Sequence, residues 1–233
     1  PLIYNREWVE RAMGLIERGF QEARTDGERT RIRYVRDNVE ALRLYLEHEE
    51  AVRRLDFPAA KEGYDAMLAH WKKQYDENSD RVANEVPQYL KRFKESLVTE
   101  GLRYTSSPYR LVRSIPDELP TFFDPHVAGE YLNLAAPTIQ DRDWIRTRTY
   151  SSTWDAQGLG GLRSGAVWYR YRFERPPIAE GEGLGLFIGG VEDEARVWLN
   201  GKRIGTSGVG FSRPFVFDLT DELCEGENVL AIQ

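Results

Sequence analysis

Apolar positions change their period near residue 100. Before it, Trp8, Ala12, Leu15, Ile16, Gly19 and Ala23 recur every three or four positions, which places them on one helical face. Asp26-Gly27 reads as a stop, after which Ile32, Val35, Val39, Leu42 and Leu46 keep the same rhythm. Tyr64, Met67, Leu68, Trp71 and Tyr75 repeat it in a third segment, where Asp56 stands at the N-cap position and Pro58 in the first turn. A fourth helix is predicted over about 84–95, with Pro87 near its start. Short connections make neighbouring helices antiparallel, so residues 5 to about 98 read as a bundle of three or four helices.

Residues 99–120 are turn-rich, and Pro108, Pro116 and Pro120 break any helix there. Beyond them the period is two. In "AVWYRYRFE", Tyr169, Tyr171 and Phe173 point one way and Trp168, Arg170 and Arg172 the other. "LGLFIGG" is a second strand. "ARVWLNGKRIG" reads as a hairpin, with Ala195, Val197 and Leu199 inward and Asn200-Gly201 supplying the positive-φ pair of a type I′ turn. "FVFDLT" and "NVLAI" follow, and short strands separated by glycine-rich turns predict a β-sandwich or jelly roll. The domain boundaries are 1–106 for the helical bundle, 107–120 for a linker and 121–233 for the β-sandwich. The fold class is α + β, multidomain.

Composition sharpens this division. Four of the 20 glycines lie in residues 1–100. The formal net charge of −6 is concentrated in the second part, with −1 over residues 1–106 and −5 over 107–233. No basic stripe stands out, which argues against a nucleic-acid partner. No apolar run approaches the roughly 18 residues of a membrane span, so no membrane partner is expected. Cys224 is the single cysteine, which excludes an intrachain disulfide. Pro1-Leu2-Ile3 at one end and a strand-like "ENVLAIQ" at the other read as cuts through a longer polypeptide.

The order of blocks "FFDPHVAGEY", "DRDW", "STWDAQG", "GAVWYRYRF", "GLFIGGVEDEARVWLNGKRIG", "FVFDLTDEL" and "GENVLAI" resembles the sugar-binding jelly roll of glycoside hydrolase family 2, which includes β-galactosidases and β-glucuronidases. The likeness covers roughly residues 115–233. It implies a galactose-binding-like jelly roll and a carbohydrate as partner. In that family the catalytic carboxylates lie in a barrel after the jelly roll, so the resemblance implies a catalytic domain elsewhere in the same polypeptide. The helical half is similar, more loosely, to the helical region of large uncharacterised bacterial glycoside-hydrolase-like proteins. That context implies a periplasmic or secreted location.

Candidate chemistry follows from these readings. Glu192, Asp193 and Glu194 are consecutive, so neighbouring carboxylates point to opposite faces of an extended chain. A glycosidase needs two carboxyls facing one sugar, about 5–5.5 Å or about 6.5–9.5 Å apart. The three acids therefore read as a strand-to-strand corner, and no catalytic residue is expected in this segment. No cofactor and no metal ligand set is expected either, a structural Ca²⁺ at the acidic corner being the one exception its oxygen chemistry admits. His48 and His70 lack a partner four residues on. The loop "WDAQGLGGLRSG" supplies the candidate carbohydrate site, with Trp154 as stacking platform and Asp155, Gln157 and Arg163 as hydrogen-bonding groups; Trp198 is a second stacking candidate. Core packing is the competing role for both tryptophans. Three functions stand open: an accessory segment of a glycoside hydrolase, an autonomous carbohydrate-binding module, and a structural or protein-interaction unit.

Overall fold

The computed structural model describes residues 4–78, 88, 90–160, 165–208 and 213–233. It divides into two compact units, Pro1–Thr105 and Ser106–Gln233. The first holds α1 (Arg6–Glu22), α2 (Asp26–Arg53), α3 (Phe57–Glu77), a π-helical turn (Leu90–Glu95) and α4 (Ser96–Thr105). Their starts are capped by side chains that accept from orphan N–H groups. Asn5 takes the N–H of Trp8, Thr25 and Glu28 form a reciprocal capping box, and Asp56 takes the N–H of Ala59.

Helices pack in chain order, α1 on α2, α2 on α3 and α3 on α4. The α1–α2 core is Val9, Ile16 and Val39, with Ala12, Met13, Phe20, Ile32, Leu42 and Leu46 against it. Of the stripe read from the sequence, Ile16 and Val39 are buried and Ala12, Ile32, Leu42 and Leu46 pack against them. Trp8 and Leu15 on α1 and Val35 on α2 stand exposed instead, and Val9, Met13 and Phe20 complete the seam. On α3, Tyr64 and Met67 are buried as expected, beside Phe57 and Ala60. Residues 84–87 and 89 of the expected fourth helix lie outside the described residues. α4 runs to Thr105, past residue 98 where the helical pattern was expected to end.

The second unit is antiparallel throughout. Its strands are β1 (Glu118–Asp124), β2 (Ile145–Arg148), β3 (Ala166–Glu174), β4 (Gly185–Ile188), β5 (Arg196–Leu199), β6 (Lys202–Thr206), β7 (Phe215–Asp218) and β8 (Glu227–Ile232). Six form one sheet in the order β2-β1-β3-β8-β5-β6, and β4 pairs with β7 in a second. β1 starts inside the stretch read as linker, and β2 had no counterpart in the sequence reading. The β5–β6 hairpin turns at Asn200 (φ 53°) and Gly201 (φ 84°), the positive-φ pair its sequence required.

Alternation along β3 divides two cores. Phe173, Val197, Leu199 and Leu230 of the large sheet meet Leu186, Phe217 and Leu219 of the small one, with Tyr171 and Ile232 at the margin. This is the interior of the sandwich. On the opposite face of the large sheet, Trp168, Trp198 and Ala231 are covered by Leu134 and Ala135, with Phe122, Ile139 and Trp144 against them. The connection between β1 and β2 therefore buries a face that alternation alone leaves to solvent.

Candidate functional site

Polar side chains anchor the approach to the candidate loop and its first turn. Asp117 precedes β1, and its carboxylate accepts from the N–H groups of Tyr150 (2.8 Å) and Ser151 (3.1 Å) and from the Ser151 hydroxyl. Its carbonyl takes the Thr149 N–H at 2.8 Å. At the start of the loop, Asp155–Gln157 forms a single 3₁₀ turn closed by Gly158 at φ 78°. Gln157 is turned back onto β2: Arg148 N–H donates to its Oε1 at 2.8 Å, and its Nε2 donates to Arg148 O at 3.0 Å. The carboxamide pairs both backbone groups of an edge residue as a neighbouring strand would.

Trp154 is half-buried. Its ring stands edge-on to Phe123 at 5.7 Å and 78°, and it hydrogen-bonds the Tyr169 hydroxyl. Burial raises the pKa of that phenol, and the hydrogen bond from Trp154 opposes the rise. Thr121 pairs with Tyr169 across β1 and β3, so Phe123 and Tyr169 share the face that carries Tyr171 and Phe173 into the sandwich. Asp155 beside Trp154 is exposed. A Cβ on Gly160 would lie 1.9 Å from its Oδ1, so the carboxylate lies against the chain at Gly160.

The structure thus brings Trp154, Asp155 and Gln157 together on one turn. Arg163 lies outside the described residues. Trp198 is on β5, at the opposite face of the large sheet, 6% exposed. Its ring lies 4.8 Å from that of Trp168, with the Arg203 guanidinium 5.8 Å from its centre. A ring packed in this way has no free face for a sugar.

Sequence reasoning missed the polar staples of the covered face. Arg170 is fully buried and donates to Asp141 (2.9 Å), Leu134 O (2.5 Å) and Ala136 O (3.0 Å). Arg172 donates to Pro137 O (3.1 Å) and Ile139 O (3.0 Å). Asp124 accepts from Ala128 N–H (2.9 Å), Gly129 N–H (2.6 Å) and the Trp168 indole (3.3 Å). Two arginines alternating beside a tryptophan in a central strand were the available signal.

Electrostatics follow from these bonds. Burial by itself raises the Asp124 pKa, but the N–H donors around it outweigh that and hold the carboxyl below its ordinary value. Asp117 is lowered in the same way by Ser151 and the N–H groups of residues 149–151. At the acidic corner, Asp193 sits at φ 55°, so the chain turns there instead of running extended as read from the sequence. Glu194 turns to Arg196 (2.8 Å) and the Thr206 hydroxyl (3.1 Å), which lower its pKa, while Glu192 and Asp193 stay exposed. Arg196 continues to Glu130 at 3.0 Å. Among the described residues no group of three or more His, Cys, Asp or Glu side chains is disposed to hold a metal ion.

No family model matches the chain. Over 70 residues, 30% of its length, it is 39% identical to a β-glucuronidase of Formosa agariphila, of which the match spans 7%. Among solved structures, a β-glucuronidase from an uncultured Clostridium sp. aligns at 28% identity and TM-score 0.44, over 52% of this chain and 21% of that one. The β-glucuronidase of Lactobacillus rhamnosus aligns at 24% identity and TM-score 0.43, over 52% and 22%. The chain therefore spans about a fifth of those structures and far less of the curated relative. These relatives are β-glucuronidases, which fits the likeness to glycoside hydrolase family 2 read from the sequence.

Proposed function

We propose that the chain is a non-catalytic accessory segment of a bacterial glycoside hydrolase or related carbohydrate-active protein, scaffolding or edging a catalytic barrel that lies outside these residues. The β-glucuronidase relative supports the carbohydrate context. The observation that carries the non-catalytic reading is the pairing of carboxylates of the β unit with structural donors: Asp117 and Asp124 accept backbone N–H groups, and Glu194 pairs with Arg196. Glu28, Glu40, Asp117, Asp124, Glu182, Glu194 and Asp218 are all displaced downward, by hydrogen bonds that favour the charged form. A glycosidase acid needs the reverse, a carboxyl raised toward neutrality so that it carries a proton to the leaving oxygen. The chain alone is expected to leave a panel of aryl glycosides unhydrolysed. Reproducible turnover abolished by a single carboxylate substitution within the chain would overturn the reading.

A second reading, an autonomous carbohydrate-binding module, is favoured by the half-exposed Trp154 beside the exposed Asp155. Calorimetry against oligosaccharides separates the two. The accessory reading expects no heat of binding from the chain alone. A saturable heat lost in Trp154→Ala, with the fold intact, establishes the module instead.

A further inference from the structure

Among the described residues, four buried side-chain polar atoms have no hydrogen-bond partner, and three of them belong to the helical unit: His48 Nε2, the Tyr64 hydroxyl and Ser96 Oγ. They come from α2, α3 and α4. A Cβ on Gly63, next to Tyr64, would lie 3.2 Å from His48 Cβ, so α2 and α3 touch there. The His48 and Tyr64 rings are 6.5 Å apart, tilted by 49°. Lys94 reaches α2 at the same height, paired with Glu49 and 5.3 Å from the centre of the Tyr45 ring. Seven residues on, Gly101 lies against the Phe57 ring. The segment from Lys94 to Gly101 therefore runs antiparallel to α3, and Glu95, next to Ser96, acts on the Tyr64 phenol.

The three groups are chemically complementary. A carbonyl oxygen only accepts, so the 2.9 Å contact between His48 Nδ1 and Ala60 O puts the proton on Nδ1. Nε2 of the neutral ring is then an acceptor, while Tyr64 and Ser96 each carry a hydroxyl proton to give. One molecule satisfies an acceptor and two donors together, since water donates and accepts. Buried polar groups that find no protein partner are ordinarily joined by such a water, with about three hydrogen bonds. The π-helical turn Leu90–Glu95 ends immediately before Ser96, and a π turn widens the helix wall at that point.

We propose that His48, Tyr64 and Ser96 wall an internal binding site for a single water molecule, which ties α4 to the α2–α3 pair. The site holds the imidazole neutral, as its burial also does. The charged and titratable groups facing it are Glu49 on its own helix, Lys94 from the π-helical turn, and Tyr64 from α3 with Asp65 and Glu95 around that phenol.

The test is a high-resolution crystal structure of the whole chain, with the Tyr64→Phe/Ser96→Ala double variant beside it. The expected result is one ordered water about 2.7–3.2 Å from Nε2 and from at least one of the two hydroxyls. A direct bond between Nε2 and either hydroxyl, or a dry contact among the three groups, overturns the proposal. Both substitutions remove only a hydroxyl, so the variant should keep its fold. Its slowest α2 and α3 amides are expected to exchange about tenfold faster with solvent. Unchanged exchange in that variant overturns the claim that the water ties the helices.

Discussion

At the scale of single residues, the β unit rests on charges that are buried and fully paired. Arg170 spends its planar fork on one carboxylate and two carbonyls, a geometry that an ammonium cannot reproduce. Arg170→Met is expected to cost about 3–5 kcal/mol, because two buried carbonyls then lose their donor and Asp141 keeps only the longer pairing with Arg172. Urea unfolding followed by tryptophan fluorescence measures it, and Asp141→Leu in the same chain should recover part of the loss. Gly129 is equally constrained, since a Cβ there would lie 2.2 Å from Trp168 Nε1. Gly129→Ala should destabilise the unit by about 1–3 kcal/mol or more and change the near-ultraviolet dichroism of Trp168. Neither role was legible in the sequence. The alternation put Trp168, Arg170 and Arg172 on one face correctly, but the cover over that face is irregular chain between β1 and β2, which has no period to read.

At the scale of elements, legibility followed periodicity. β3 and the β5–β6 hairpin match their sequence readings because alternation and the Asn200-Gly201 pair each dictate a single geometry. β2 was missed because "IRTR" is four residues long and mostly polar. On α1 the stripe held Ala12 and Ile16 correctly but took Trp8 and Leu15 in place of Val9 and Met13, because a 3.6-residue period does not choose between nearby apolar positions. The candidate loop shows the same limit: it read as a loop between two strands, whereas the use of Gln157 to close the edge of β2 depends on a strand that was not readable. Gln157→Ala should cost about 1 kcal/mol and speed the exchange of the Arg148 amide, as read by amide exchange in the intact chain. An unchanged Arg148 amide would remove Gln157 from this structural role and leave its carboxamide available to a ligand.

At the scale of the whole molecule, the two units are expected to respond differently to acid. Burial lowers the pKa of His48, so below its ordinary value of about 6.5 the unfolded chain binds more protons and the helical unit loses stability as pH falls. Asp117, Asp124 and Asp218 are also lowered, but their ordinary value is about 3.9, so their contribution persists above that and is lost only as pH falls through the depressed folded values. Amide cross-peaks from the helical unit should weaken first on acidification, before those of the β unit. Simultaneous loss of both sets would contradict this order.

The account as a whole depends on the carboxylates of the β unit being fixed, charged acceptors rather than proton donors to a substrate. A titration of the carboxyl-carbon resonances of the intact chain tests this directly. Asp117, Asp124, Glu194 and Asp218 should all titrate below the ordinary values of about 3.9 for Asp and about 4.3 for Glu. A carboxyl of the β unit titrating near neutral pH would contradict the account, because that is the property a glycosidic acid requires.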